Sequence, residues 1–306
     1  MKLPSAKMNI KTSKNVIPIL LLILLILVWS SVWSLFKFAV EEIPPFSFRV
    51  IIGLPACFLL FFLAFKKCKK IDVPKKDWKS LFLISFFNVT LWQVLMLYGI
   101  GMLGGGRAAV LTYTMPVWAI IFAAVFGYEK INISIIIALL LGMFGIFSLS
   151  IEINIFDNLI GFLITLAAGL SWGIGTMIVK YGGIKSDGLI VAGWQQMIGI
   201  LPIIPLALYF DLNNFGTVDY RHILVILFGI FLSSGYTYWA YFTVLQKFSV
   251  NVTSVSVMAV PILAILIDFI VVDVELSFFD FLALALIVTS IFVAATKPFN
   301  KKMDNI

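Results

Sequence analysis

Apolar stretches of about 20 residues recur along the whole chain, and they restrict the medium in which it can fold. A helix rises about 1.5 Å per residue, so each stretch is long enough to cross the ~30 Å hydrocarbon layer of a bilayer. The approximate spans are 16–38, 45–65, 78–100, 105–127, 132–150, 158–180, 187–209, 221–245, 250–272 and 277–296. Of the 306 residues, 62% are hydrophobic and 12% charged, against roughly 45–50% and about 25% in an ordinary soluble domain. One water-soluble core cannot hide that excess. A β-barrel would show ~10-residue alternating segments instead. The spacing predicts an all-α integral membrane protein with ten transmembrane helices. Its short connections make neighbouring helices antiparallel and leave no room for a soluble catalytic domain.

Charge orients these helices, because cytoplasmic flanks carry the excess of lysine and arginine. With the N-terminus inside, the inner segments hold Lys2, Lys7, Lys11 and Lys14, seven lysines from Lys66 to Lys79, then Lys130, Lys180, Lys185, Lys247, Lys297, Lys301 and Lys302. The outer connections hold Arg107 and Arg221 beside Glu41, Glu42, Glu152, Asp157, Asp211, Asp219, Asp273 and Glu275. Both termini are therefore expected in the cytoplasm, with 1–15 and 297–306 as tails. The net charge of +7 is read as topology and contact with anionic lipid, not as nucleic-acid binding. The run from Val16 to Phe38 follows four lysines, as in a signal peptide, but it is too long for an h-region and has no small-residue cleavage site, so it is expected to stay as the first helix. Cys57, Cys68 and His222 support neither a disulfide framework nor a metal site, and no cofactor is expected.

The halves resemble each other in matching places. Trp29 precedes Lys37 by eight residues, and Trp172 precedes Lys180 by eight. Arg49 is followed by Leu54-Pro55, and Gln195 and Gln196 by Leu201-Pro202. Pro116 leads to Glu129 after 13 residues, and Pro261 to Glu275 after 14. Five helices per half is an odd number, so the second repeat, 158–296, is inserted upside down relative to the first, 16–150. Inverted repeats let two similar halves expose a central site alternately to either side of the membrane, as secondary transporters require.

These residues, with Tyr113-Thr114-Met115-Pro116-Val117, the Gly-Tyr-Glu-Lys run at 127–130, Gly142, Gly145 and Val260-Pro261-Ile262, resemble the EamA-type permeases of the drug/metabolite transporter superfamily. The resemblance covers nearly everything from residue 20 to 296. It implies helices of both halves around a central cavity, with the fifth and tenth peripheral. It also implies secondary transport of small metabolites, often amino-acid export, in a bacterial cytoplasmic (inner) membrane. The sequence departs from the pattern where glutamine faces Arg49 in the second half, and where that half lacks glycines matching Gly142 and Gly145.

Candidate substrate contacts are the aromatic and amide side chains on the cavity helices: Trp29, Trp33, Trp92, Gln93, Tyr113, Trp172, Gln195, Tyr238 and Trp239. Trp29 and Trp172 lie deeper than an interfacial belt requires. Arg49 and Asp268 are ionisable residues inside apolar spans, where a charge costs ~2.5–3.5 kcal/mol on insertion scales and normally faces a cavity or a partner. They suggest either a mutual ion pair or a carboxylate site on Arg49, against snorkelling as the plainer reading. Pro116 and Pro261 remove backbone donors at corresponding places and are candidate hinges. Glu129 and Asp268 are candidates for ion coupling, although Glu129 also stands where it would meet the dipole of the helix that follows it. Gly169 and Gly173 have the spacing of a close helix contact, and Gly104-Gly105-Gly106-Arg107 opens the fourth span.

The expected partners are a small-molecule substrate and the bilayer, with the chain as a monomer or homodimer. A drug or lipophilic-cation exporter is the alternative within transport. A membrane enzyme lacks its clustered acid, base or metal groups, so no catalytic residue is assigned. A receptor leaves the inverted repeat unexplained.

Overall fold

The computed structural model describes residues 10–103, 108, 111–148, 158–272 and 278–295, which are mostly helical with no strand among them. Helix α1 (Ile10–Val40) begins six residues before the expected boundary at 16 and runs through Pro18 unbroken. Helix α2 (Pro45–Cys68) starts on a proline, tolerated there because the first helical N–H has no partner to lose, and passes through Pro55 without a break. Its Ser47 N–H is capped by the distant Asp211 carboxylate at 2.6 Å.

The third rod opens with a 3-10 turn, Lys75–Asp77, and continues as α3 (Trp78–Ser85), a π-helical segment Phe86–Leu91 and α4 (Trp92–Leu103). A turn at Tyr113–Thr114 then precedes α5 (Met115–Val125). Helix α6 (Ile133–Ser148) is capped by Asn132, which accepts from Ile135 N at 3.0 Å. Asn158 caps α7 (Leu159–Tyr181). The next rod is divided at Leu201–Pro202 into α8 (Gly188–Ile200) and α9 (Ile203–Phe210).

The Asp219–His222 capping box starts α10 (Tyr220–Phe228). The Arg221 guanidinium, 2.8 Å from the Asp219 carboxylate, is the main reason that this carboxyl is held well below the usual range, so the cap stays ionised. The rod continues through a second π-helical segment, Gly229–Tyr236, into α11 (Thr237–Lys247). Helices α12 (Val250–Val257) and α13 (Val260–Val272) meet at a turn, and α14 (Phe278–Ala295) follows.

Six of these rods are long and apolar enough to cross a bilayer: Val16–Val40, Pro45–Cys68, Lys75–Gly99, Leu159–Tyr181, Gly188–Phe210 and Tyr220–Lys247. The described parts of the remaining expected spans form shorter apolar helices, Met115–Val125, Ile133–Ser148, Val250–Ala264 and Phe281–Ser290. Many large apolar side chains face outward, Phe58, Phe62, Phe144, Leu163 and Phe292 among them. Such an apolar surface suits lipid rather than water.

The two halves interleave. Helix α2 packs on α8, α3 on α8, and α2 on the Gly229–Tyr236 segment. Helix α5 packs on α7 and α1 on α13, while α4 packs on α7 and α1 on α11. Helix α5 also meets α12, and α6 pairs with α14, both of them touching α12 as well. Close approach is sterically enforced. A Cβ on Gly173 would stand 2.6 Å from Trp118 Cβ and 2.9 Å from Ala119 N, and one on Gly145 2.7 Å from Ile287 Cγ1. The glycine spacing read as a packing contact is one, between α7 and α5.

Loops tie the rods at both ends. At one end Lys67 pairs with Asp187 at 2.7 Å, Trp194 Nε1 donates to Ile71 O at 2.8 Å, and buried Asp77 accepts from Lys185 N at 3.2 Å. At the other, Thr217 N donates to the Glu42 carboxylate at 2.6 Å and Gly216 N to Glu42 O at 2.7 Å.

Candidate functional site

Four rings meet where α1, α4, α7 and α11 converge. Trp29 stands edge-on to Trp172 at 5.6 Å between centroids and lies 5.4 Å from Tyr241. Trp172 is 5.0 Å from Trp92 and 5.5 Å from Tyr241. Trp172, Trp92 and Tyr241 are buried. Such offset and edge contacts suit the ring quadrupoles, and the polar tips of Trp172 and Tyr241 are also satisfied. Trp172 Nε1 donates to Tyr241 Oη at 3.3 Å, and Thr176 Oγ1 lies 2.6 Å from the same hydroxyl. The two tryptophans at corresponding places in the halves are thus direct neighbours.

Polar groups continue from the rings. Tyr238 lies 6.3 Å from Trp172, donates to Asn88 O at 3.2 Å and has the Gln93 side chain beside it. The Arg49 guanidinium lies over the Phe36 ring at 5.0 Å, in the neighbourhood of Tyr238. Gln93 is buried, and its Oε1 and the Oδ1 of Asn88 have no hydrogen-bond partner. A cation and an unused amide acceptor therefore flank one tyrosine at the edge of the aromatic group.

Local backbone explains how these side chains are aimed. Trp92 and Gln93 follow immediately on the π segment Phe86–Leu91, and Tyr238 stands two residues beyond the π segment Gly229–Tyr236. A π turn widens the helix and re-aims the residues beyond it, which is why such turns cluster at functional sites. Two rods at the same place in their halves carry the same irregularity.

The prolines mark breaks of the same kind. Helical order is interrupted at Tyr113–Thr114, before Pro116, and at Met258–Ala259, before Pro261. A cavity of ≈ 10 Å³, about the room of one water, lies beside Pro116 and Trp172 and is also lined by Thr176, Tyr241 and Ser254.

The model of the EamA-like transporter family matches residues 16–151 and 159–296. The chain belongs to this family.

Among curated relatives of this EamA-like chain, the uncharacterized transporter YoaV of Bacillus subtilis (strain 168) is 28% identical over 238 residues, covering 76% of this chain and 80% of the relative. The uncharacterized transporter sll0355 of Synechocystis is 22% identical over 302 residues, 92% and 91% of the two chains. The chloroplastic WAT1-related protein At3g02690 of Arabidopsis thaliana is 24% identical over 236 residues, 72% of this chain and 56% of the relative. A crystal structure superposes with a TM-score of 0.76 at 17% identity, covering 91% of this chain and 96% of that one, which is a likeness of fold alone.

Other candidate residues of this EamA-like transporter stand apart from the rings. Trp33 donates to Tyr113 Oη at 2.9 Å and forms a separate pair with it. Trp239 meets Tyr236 and the start of α8 at Gly188. Gln195 points to Ile84 O at 3.5 Å and joins α8 to α3. Asp268 lies on α13 with its side chain outside the described residues, as do Lys37 by its side chain and Gly104–Arg107 and Glu275 as residues, so the Arg49–Asp268 pair is not described. Among the described residues no carboxylate forms an ion pair with Arg49. The expectation for Glu129 needs correction. It does not cap the helix that follows it, which Asn132 serves, but reaches α12 more than a hundred residues away.

Tyr241 and Thr176 join the site without having been singled out from the sequence. Helical spacing was the available signal, since Tyr241 is three residues beyond Tyr238 and Thr176 four beyond Trp172, positions that share a helix face.

Proposed function

We propose that this EamA-like transporter moves a small organic metabolite, an amino acid or related compound, outward across the bacterial cytoplasmic membrane by alternating access. In this reading all ten rods span the bilayer as two inverted five-helix repeats, 16–150 and 158–296, with both termini cytoplasmic. The interleaved packing supports it. Exchanging each helix for its counterpart turns the α5–α7 contact into α13–α1, the α4–α7 contact into α11–α1, and the contact of the Phe86–Leu91 segment with α8 into that of the Gly229–Tyr236 segment with α2. An inverted repeat with a pseudo-two-fold axis requires such pairs.

The observation that carries the substrate reading is the meeting of Trp29 and Trp172, one from each half, beside Trp92, Tyr241, Tyr238, Gln93 and Arg49. Aromatic walls with a few polar groups suit an amphipathic organic solute. The ring faces take its apolar part, Arg49 its carboxylate, and the free Gln93 acceptor its ammonium group. Pro116 and Pro261 serve as hinges.

The test is efflux from proteoliposomes loaded with labelled amino acids and, separately, organic cations, comparing wild type with Trp172→Ala after confirming folding. Selective amino-acid efflux abolished by the substitution is expected. Efflux of organic cations alone would replace the amino-acid reading with drug export.

A further inference from the structure

The small cavity beside Trp172 lies among α5, α7, α11 and α12, and one carboxylate ties the ends of three of these helices, α5, α7 and α12. Glu129 sits in the loop leaving α5. Its Oε1 accepts from Tyr181 Oη at 2.5 Å, at the end of α7, and from Val250 N at 2.7 Å, in the first turn of α12. Its Oε2 accepts from Asn251 N at 3.2 Å. Tyr128 stacks on Tyr181 at 4.2 Å, with ring planes only 5° apart. Lys180 ties the same end to α11, donating to Leu245 O at 2.5 Å and Phe248 O at 2.8 Å.

Distance along the helices relates this knot to the cavity. Ser254 is three residues beyond Asn251, and Thr176 five before Tyr181, so the cavity lies about one to one and a half turns further in, ~5–8 Å. Both α5 and α12 end, on their inner side, at the breaks before Pro116 and Pro261. Each is therefore a short rigid lever held at one end by Glu129 and attached at the other through irregular backbone. A carboxylate that accepts two backbone N–H groups of a helix start and a tyrosine hydroxyl makes strong, charge-assisted bonds. These bonds run from the loop of the first half to two helices of the second.

We propose that Glu129, with Tyr181 and the N-terminus of α12, is the latch of a gate. While it is made, the path from this face to the aromatic group is shut. When it is released, α5 and α12 swing about their breaks and open that path. The face is cytoplasmic in the topology proposed above, on which the direction of opening, but not the latch, depends.

The experiment measures accessibility and needs no substrate. In a Cys57→Ser, Cys68→Ser background, Ser254→Cys is modified with a membrane-impermeant thiol reagent applied to inside-out and to right-side-out vesicles. The result expected is slow reaction in the latched protein. Glu129→Ala speeds it about tenfold at the face bearing Glu129 only, and Tyr181→Phe, which removes one hydroxyl, speeds it less. Unchanged rates at both faces with a lowered melting temperature would reduce Glu129 to a helix cap and overturn the gate. An equal rise at both faces, meaning general loosening, would overturn it too. Failure of amino-acid efflux would leave this result standing, so the two readings fail separately.

Discussion

At the scale of single residues, the sharpest demand is made by the absence of a side chain. Gly173 lets α7 lie against the backbone of α5, and the atoms that an added Cβ would meet include Ala119 N, which cannot rotate away. Gly173→Ala is expected to destabilise the fold by about 1–3 kcal/mol, the usual cost of overpacking, read as a lower melting temperature in detergent. Gly183, where a Cβ would meet nothing, provides a poor control because its φ of +73° itself favours glycine. Gly188→Ala, whose nearest contacts are side-chain atoms at 3.2–3.3 Å, is the better one. Arg49 makes a second prediction. If it binds the carboxylate, Arg49→Gln should weaken an amino-acid substrate about tenfold or more, since a hydrogen bond to a charged group is worth ~1.5–3 kcal/mol. The corresponding amine without its carboxylate should be handled alike by both proteins. Equal weakening of acid and amine in competition assays would remove Arg49 from the site.

At the scale of elements, the prolines divide into those that break a helix and those that do not. Pro55 leaves α2 whole while Pro202 separates α8 from α9, although the two stand in matching Leu-Pro pairs. The sequence signal was the same, so what decides is the packing around each. Pro116 and Pro261 stand beside breaks in both halves. As the second residue of α5, Pro116 costs that helix no hydrogen bond, so Pro116→Ala, which lets the helix continue back through Tyr113–Thr114, should leave the melting temperature unchanged or higher. It should also slow efflux about tenfold, which corresponds to about 1.4 kcal/mol on a barrier. Unaltered turnover would show that the break is not a hinge.

Apolar spans, the matched tryptophans and the small-residue stripe were legible because length and period are local properties of a chain. The π segments Phe86–Leu91 and Gly229–Tyr236 were not, since their composition is that of an ordinary apolar helix. The partner of Glu129 was equally hidden. Its neighbour in sequence is the start of α6, and only the packing of α12 against α5 brings Val250 N within reach.

At the scale of the whole molecule, the loop contacts reduce the orientation to a single choice. Lys67 with Asp187, and Trp194 with Ile71, hold the 69–74 and 182–187 connections on one face. Glu42 with Gly216 and Thr217 holds the 41–44 and 211–219 connections together, and α2 separates the two sets by its 24 residues, ~36 Å of helix. Whichever face carries the first set must carry all of it. That set includes the lysines from Lys66 to Lys79 together with Lys185, whereas the second holds Glu41, Glu42, Asp211 and Asp219, so the topology proposed above has the first set in the cytoplasm. In a background without native cysteines, Lys70→Cys and Lys185→Cys should react with an impermeant maleimide only in inside-out vesicles, and Thr217→Cys only in right-side-out ones. If Lys70→Cys and Lys185→Cys reacted from opposite faces, the observed loop contacts could not exist in the membrane. If both reacted from outside, the fold would stand and its insertion would be inverted, making the Glu129 end the outer gate.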